Sequence, residues 1–250
     1  MGIQGRFPSS SKGITTLLFD LDGTLVRMNR SGLELRFMAR AVVRFARVIP
    51  PWRYRKAFWE GAEALQRHGT DATNWTVFLE TLGRHARCPP AELERIARVC
   101  VEKDFAHLGD RYGPIPGARE TLLHASELGY RLVVATNPVF PRLAVEMRLS
   151  WGKLGDVPFD FITNSECMTR CKPDPAFYKE LLEKLGVEGR QCVMIGNDAR
   201  KDLPANELGC LTYLVEMPET RALIEQVKGD PRLDGWGSFE DLRRWLQEKT

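Results

Sequence analysis

The chain predicts an α/β fold in which a doubly wound parallel sheet is interrupted by one all-helical insert. Three observations carry that expectation. Short apolar runs, among them Leu17-Leu18-Phe19, Leu132-Val133-Val134-Ala135 and Val193-Met194-Ile195, each end in polar, chemistry-bearing residues. After Gly117 such runs alternate with helical stretches, whereas residues 33–108 show helical spacing throughout and no strand-like alternation. Apolar runs of this length bounded by turns read as strands buried on both faces, and strands alternating with helices build parallel sheets with right-handed crossovers.

The first element, Gly13 to Val26, is a strand running into a turn marked by Gly23. Asp20 and Asp22 lie at its carboxyl end, where open α/β sheets hold their ligands. Residues two apart on a strand point the same way, so both acids can face one crevice. Two carboxylates this close repel, and a divalent cation between them relieves the repulsion; the plainer alternative is a solvated Asp-Gly turn.

The insert follows. Leu33, Phe37, Ala41 and Phe45, and then Phe58, Ala62 and Leu65, recur at helical spacing, and Pro50-Pro51, Gly69-Thr70 and Pro89-Pro90 divide the segment into about four helices. Its Trp52, Tyr54, Trp59, Trp75 and Phe78 either line a pocket or fill a small bundle, and the bundle core is the expected place. Pro114-Ile115-Pro116-Gly117 returns the chain to the sheet. From there the pattern predicts a helix over 118–128, a strand over 132–135, a helix from Pro141, a strand over 159–163, a helix from Pro175, a strand over 193–195, a helix near Leu203 and a strand over 211–215. The run from Gly237 to Leu242 reads as an N-capped terminal helix, while Met1 to Ser11 carries no pattern and is expected to be mobile.

Composition narrows the function. With 250 residues and 43% hydrophobic content the chain can bury a real core, and 36 basic against 33 acidic residues, net +3, give no case for an obligate nucleic-acid partner. No apolar stretch approaches the about 20 residues of a membrane span, and Met1 to Lys12 lacks the apolar centre of a signal peptide, so a cytoplasmic protein without a membrane partner is expected. The six cysteines then read as reduced thiols, mostly in core segments, and the four histidines are scattered without metal-ligand spacing.

Asp20-Leu21-Asp22-Gly23-Thr24 resembles the DxDGT signature of the haloacid dehalogenase-like hydrolase superfamily, whose members are mostly Mg²⁺-dependent phosphatases. Three further motifs of that family have counterparts in the right order: the strand ending in Thr136-Asn137, the segment Cys171-Lys172-Pro173-Asp174-Pro175 before a helix, and Gly196-Asn197-Asp198 followed by Asp202. The resemblance spans Ile14 to about Val215 apart from the insert, which falls where the family's C1-type helical cap sits. It implies a Rossmann-like core over residues 1–26 and 116–250 with a helical cap domain over 27–115.

By the same resemblance, Asp20 is the nucleophile, forming an aspartyl-phosphate and also binding Mg²⁺. Asp22 is the general acid and base, with its backbone carbonyl on the metal. Thr136 and Asn137 hold the phosphoryl group, and Lys172 neutralises phosphate and nucleophile together. In the fourth motif Asn197 and Asp198 compete for one metal-binding place; Asp198 is preferred because a carboxylate-built Mg²⁺ site gains most from full charge. Asp202 then orients Lys172 or a metal-bound water. The expected activity is Mg²⁺-dependent hydrolysis of a small phosphorylated metabolite. A phosphomutase of the β-phosphoglucomutase type shares all four motifs, and a non-catalytic binding protein on the same scaffold is the alternative from another class. A dehalogenase needs no second acid, so Asp22 argues against it, and a phosphonatase would need a cap lysine, for which only Lys56 and Lys103 stand in the insert. Spacing encodes neither the leaving group nor the oligomeric state.

Overall fold

The computed structural model describes residues 2–248. Its strands, in chain order, are β1 (Gln4–Gly5), β2 (Thr16–Phe19), β3 (Val26–Met28), β4 (Tyr112–Pro114), β5 (Arg131–Val134), β6 (Phe161–Ile162), β7 (Cys192–Gly196), β8 (Leu211–Val215) and β9 (Gly235–Gly237). Seven of them form one sheet in the order β1-β9-β8-β7-β2-β5-β6, parallel except where β1 pairs antiparallel with β9. The helices are α1 (Leu33–Phe45), α2 (Pro51–Arg67), α3 (Asn74–Gly83), α4 (Pro90–Val99), α5 (Ala118–Glu127), α6 (Arg142–Trp151), α7 (Pro175–Leu185), α8 (Ala199–Asp202), α9 (Arg221–Val227) and α10 (Phe239–Gln247).

Alternation along the central strands sorts their side chains to two faces. Leu17 and Phe19 join Leu132, Val134, Val193 and Ile195 in a cluster covered by α5, α6 and α10, whereas Leu18 joins Val133 and Met194 against Phe177, Tyr178 and Leu181 of α7. The sheet is therefore doubly wound, as the sequence predicts. Strands β5 and β6 extend it to one side of β2, and the chain then returns to place β7 on the other side. That reversal beside β2 is the switch point at whose carboxyl edge α/β sheets bind ligands.

The insert forms the four expected helices, with the breaks where the prolines and Gly69 stand. Pro51 and Pro90 occupy the first turns of α2 and α4, where a missing N–H costs nothing, and Thr73 caps α3 by accepting the Thr76 N–H at 3.3 Å. Helical turns continue from Cys100 to Arg111. The insert leaves and rejoins the sheet domain through an antiparallel ribbon of β3 and β4, with Val26 opposite Pro114 and Met28 opposite Tyr112.

Two expectations change. Residues 2–11 are docked rather than mobile: β1 pairs with β9, the Trp245 indole donates to the Pro8 carbonyl at 2.7 Å, and Phe7 packs edge-on against Tyr213 and Trp245. Strand β6 is also shorter than predicted: Phe159 turns back on Val157, its N–H donating to that carbonyl at 2.9 Å, and only Phe161 and Ile162 pair in register with β5. The terminal helix α10 starts as expected, with Ser238 and Asp241 exchanging the two hydrogen bonds of a capping box. No helix among the described residues is long and apolar enough to cross a membrane.

Candidate active site

Asp20 is the first residue past β2, and its N–H continues the β2–β7 ladder by donating to the Ile195 carbonyl at 2.9 Å. The strand thus delivers a nearly buried carboxylate, 8% exposed, to the sheet edge. Lys172, in the loop that precedes α7, reaches the same point: its Nζ lies 3.1 Å from Asp20 Oδ1 and 2.7 Å from Asp202 Oδ1. Asp202, at the end of α8, also accepts the N–H groups of Asn197 and Asp198 at 3.1 and 3.0 Å. Gly196 permits this approach, since a Cβ there would collide with the Asp202 carboxylate.

Burial alone would discharge Lys172, but the carboxylates of Asp20 and Asp202 outweigh it and hold the ammonium well above its ordinary pKa. Burial likewise pushes Asp202 up, to about 6, with Lys172 pulling it back. Two carboxyl groups thus share one buried ammonium.

Thr136 and Asn137 follow β5 on the other side of Asp20. The Thr136 carbonyl accepts the Thr163 hydroxyl at 2.7 Å, and Asn137 Oδ1 accepts the Lys172 N–H at 3.1 Å. The second and third motif loops are therefore tied to each other as well as to the sheet.

In the fourth motif the two residues that compete for the metal place are turned in different directions. The Asp198 carboxylate is turned to its own helix: it accepts the Arg200 and Lys201 N–H groups as the N-cap of α8 and sits 3.0 Å from Lys201 Nζ. Asn197 instead faces the first motif, its Oδ1 3.1 Å from the Thr24 hydroxyl, which also stands 3.5 Å from Asp20 Oδ2. Gly23, at φ +92°, leaves room for the Asn197 amide that a Cβ would fill. The physical reason is competition: a carboxylate one residue before a helix satisfies that helix's free N–H groups.

Arg148 is a neighbour that the sequence reading passed over. It lies on α6, only 1% exposed, ion-paired with Asp22 Oδ2, with its Nε donating to the Ala144 carbonyl at 3.1 Å and its guanidinium 4.9 Å from the Phe140 ring centre. Asp22 Oδ1 is buried without a hydrogen-bond partner among the described residues. A signal existed in the sequence: Arg148 shares the apolar stripe of α6 with Ala144, Val145 and Leu149, and a charge on such a stripe implies a buried partner.

Among the described residues no three His, Cys, Asp or Glu side chains gather closely enough to hold a metal by themselves. The donors at the sheet edge nonetheless suit Mg²⁺, which keeps several waters and is commonly held through one or two carboxylates plus a substrate phosphate. Asp20 and the amide oxygen of Asn197 flank one hydroxyl, that of Thr24, so two oxygen donors stand close together at this edge.

An acid-rich carboxyl edge at the switch point of a doubly wound parallel sheet, with a helical insert after β2, is the arrangement of an α/β protein built around a polar ligand. The chain belongs to the haloacid dehalogenase-like hydrolases, whose family model matches residues 14–208. It is 27% identical to haloacid dehalogenase-like hydrolase domain-containing protein 3 of Danio rerio, over 94% of this chain and 97% of that one. It is 30% identical to a phosphoglycolate phosphatase of Chromobacterium violaceum, over 82% and 86%. Among solved structures, a HAD phosphatase from Thermococcus onnurineus shares the fold with a TM-score of 0.57 at 21% identity, covering 94% of this chain and 99% of that one.

Proposed function

We propose that the protein is a phosphatase that hydrolyses a phosphate monoester through an aspartyl-phosphate on Asp20, with residues 27–115 acting as the cap over the site. The observation that carries this reading is the buried Asp20 carboxylate held against Lys172 at the switch point of the sheet. In the first half-reaction an Asp20 oxygen bonds to phosphorus as the bond to the leaving oxygen breaks, and Asp22 gives that oxygen a proton. In the second, Asp22 takes a proton from water as the water oxygen bonds to phosphorus and Asp20 is released. Lys172 offsets the charge of nucleophile and phosphoryl group, and Thr136 with the Asn137 N–H would hold the phosphoryl oxygens. Asp20, the Asp22 backbone carbonyl and Asn197 would hold Mg²⁺, which when bound supplies further charge neutralisation at the phosphoryl group.

Two measurements test this assignment. Purified protein is expected to lose phosphatase activity in excess EDTA and to regain it with added Mg²⁺; full activity in EDTA would count against a metal-assisted reaction. Asn197→Ala is expected to raise the Mg²⁺ concentration for half-maximal activity more than Asp198→Asn does, since the Asp198 carboxylate is engaged with α8 and Lys201. The reverse order would return the metal place to Asp198.

A further inference from the structure

A cavity of about 440 Å³ lies between the helical insert and the sheet domain, within the roughly 300–1,000 Å³ that drug-sized ligands occupy. Phe37, Phe58, Trp75 and Phe78 line it from the insert and Phe140 from the loop after β5. Its sheet-side lining includes Asn137, whose Oδ1 is tied to the Lys172 N–H, and Lys201, next to Asp202. The cavity is thus continuous with the loops that carry the second and fourth motifs. Tyr54 and Trp75 belong to the buried core of the insert, as expected from sequence, with Phe78 packed against it, and all three also border this space; Trp59 borders it while 45% exposed, and Trp52, 81% exposed, does neither.

The charges of the lining discriminate among leaving groups. Lys201 is the one cation among the described lining residues, and its Nζ is already 3.0 Å from the Asp198 carboxylate. Glu34 contributes a negative charge. A leaving group bearing a second anion, as glycolate or phosphate does, would meet aromatic faces, a neutralised lysine and a like charge, and burying an unpaired charge against apolar surface is strongly unfavourable. An uncharged apolar group would instead exchange water for ring surface.

We propose that the leaving group is a bulky, uncharged, apolar alcohol or phenol seated in this cavity, with its phosphoryl end at Asp20. This rests on the phosphatase reading and adds the substrate class to it. The test compares kcat/KM for 1-naphthyl phosphate, phosphoglycolate and acetyl phosphate in the wild type and in two cavity-filling variants, Ala62→Phe and Leu33→Trp, each checked for folding by circular dichroism. The wild type is expected to prefer 1-naphthyl phosphate to phosphoglycolate by at least about tenfold, the discrimination a hydrophobic pocket readily supplies. The variants are expected to lose that preference while keeping their activity on acetyl phosphate, which is too small to need the cavity. Equal or better use of phosphoglycolate overturns the proposal and leaves the phosphatase reading standing. If none of the three is hydrolysed, the phosphatase reading fails, and binding of 1-naphthol, followed by tryptophan fluorescence, decides the cavity separately. Saturable binding lost in both variants supports an apolar occupant, and no binding overturns it.

Discussion

Asp20→Asn is expected to lower turnover by at least about 100-fold, because an amide cannot form the acyl-phosphate and the loss of a covalent nucleophile is among the largest single-residue effects in enzymes. The fold is expected to survive. With Asp20 neutral, Lys172 and Asp202 remain as a balanced pair at 2.7 Å, and an amide oxygen can still accept from Lys172 Nζ. Steady-state kinetics on an accepted monoester, with denaturant unfolding of the same preparation, separates the two quantities. Residual activity above about one hundredth of wild type would remove Asp20 from the nucleophile's role.

Lys172→Met is expected to damage both stability and activity. It leaves Asp20 and Asp202, both buried, facing each other without their shared cation, and breaking a buried ion pair by deleting one partner costs about 3–5 kcal/mol. Lowering the pH from about 7 toward 5 is expected to recover part of that loss: the facing carboxyls hold protons in the folded variant that the unfolded chain has already released, so stability rises as pH falls. Unfolding midpoints across that range check the sign. A variant as stable as wild type at pH 7, with no pH response, would show that the trio is not electrostatically coupled.

How much of this was legible without coordinates follows from what each feature depends on. The strands β2, β5, β7 and β8 declared themselves because a strand buried on both faces must be apolar throughout, and polar residues at its end then stand out. Asp20, Lys172 and Asp202, separated by up to 182 positions, needed only that the strand ends and the loop before α7 meet at one edge. Which of Asn197 and Asp198 faces the first motif was not legible, because it turns on which side chain caps α8, a local hydrogen-bond competition that spacing does not encode. Strands β1, β3, β4 and β9, two or three residues each and several containing glycine, are too short to show a period. The cavity was hidden for a different reason: an aromatic residue at helical spacing has the same pattern whether its ring meets another ring or empty space.

The ribbon of β3 and β4 joins the helical insert directly to the turn that carries the two acids. Val26, where β3 begins, accepts the Gly23 N–H at 2.8 Å and donates to the Leu21 carbonyl at 2.9 Å, so the turn bearing Asp20 and Asp22 is laced directly to the root of the insert. A residue inserted within β3 itself would shift its register against β4 and disturb the turn through these two bonds. A glycine inserted between Met28 and Asn29 lies beyond both bonds, so it is expected to leave the turn's hydrogen bonds in place while loosening the attachment of the helices, a change readable as a loss of turnover without a loss of stability.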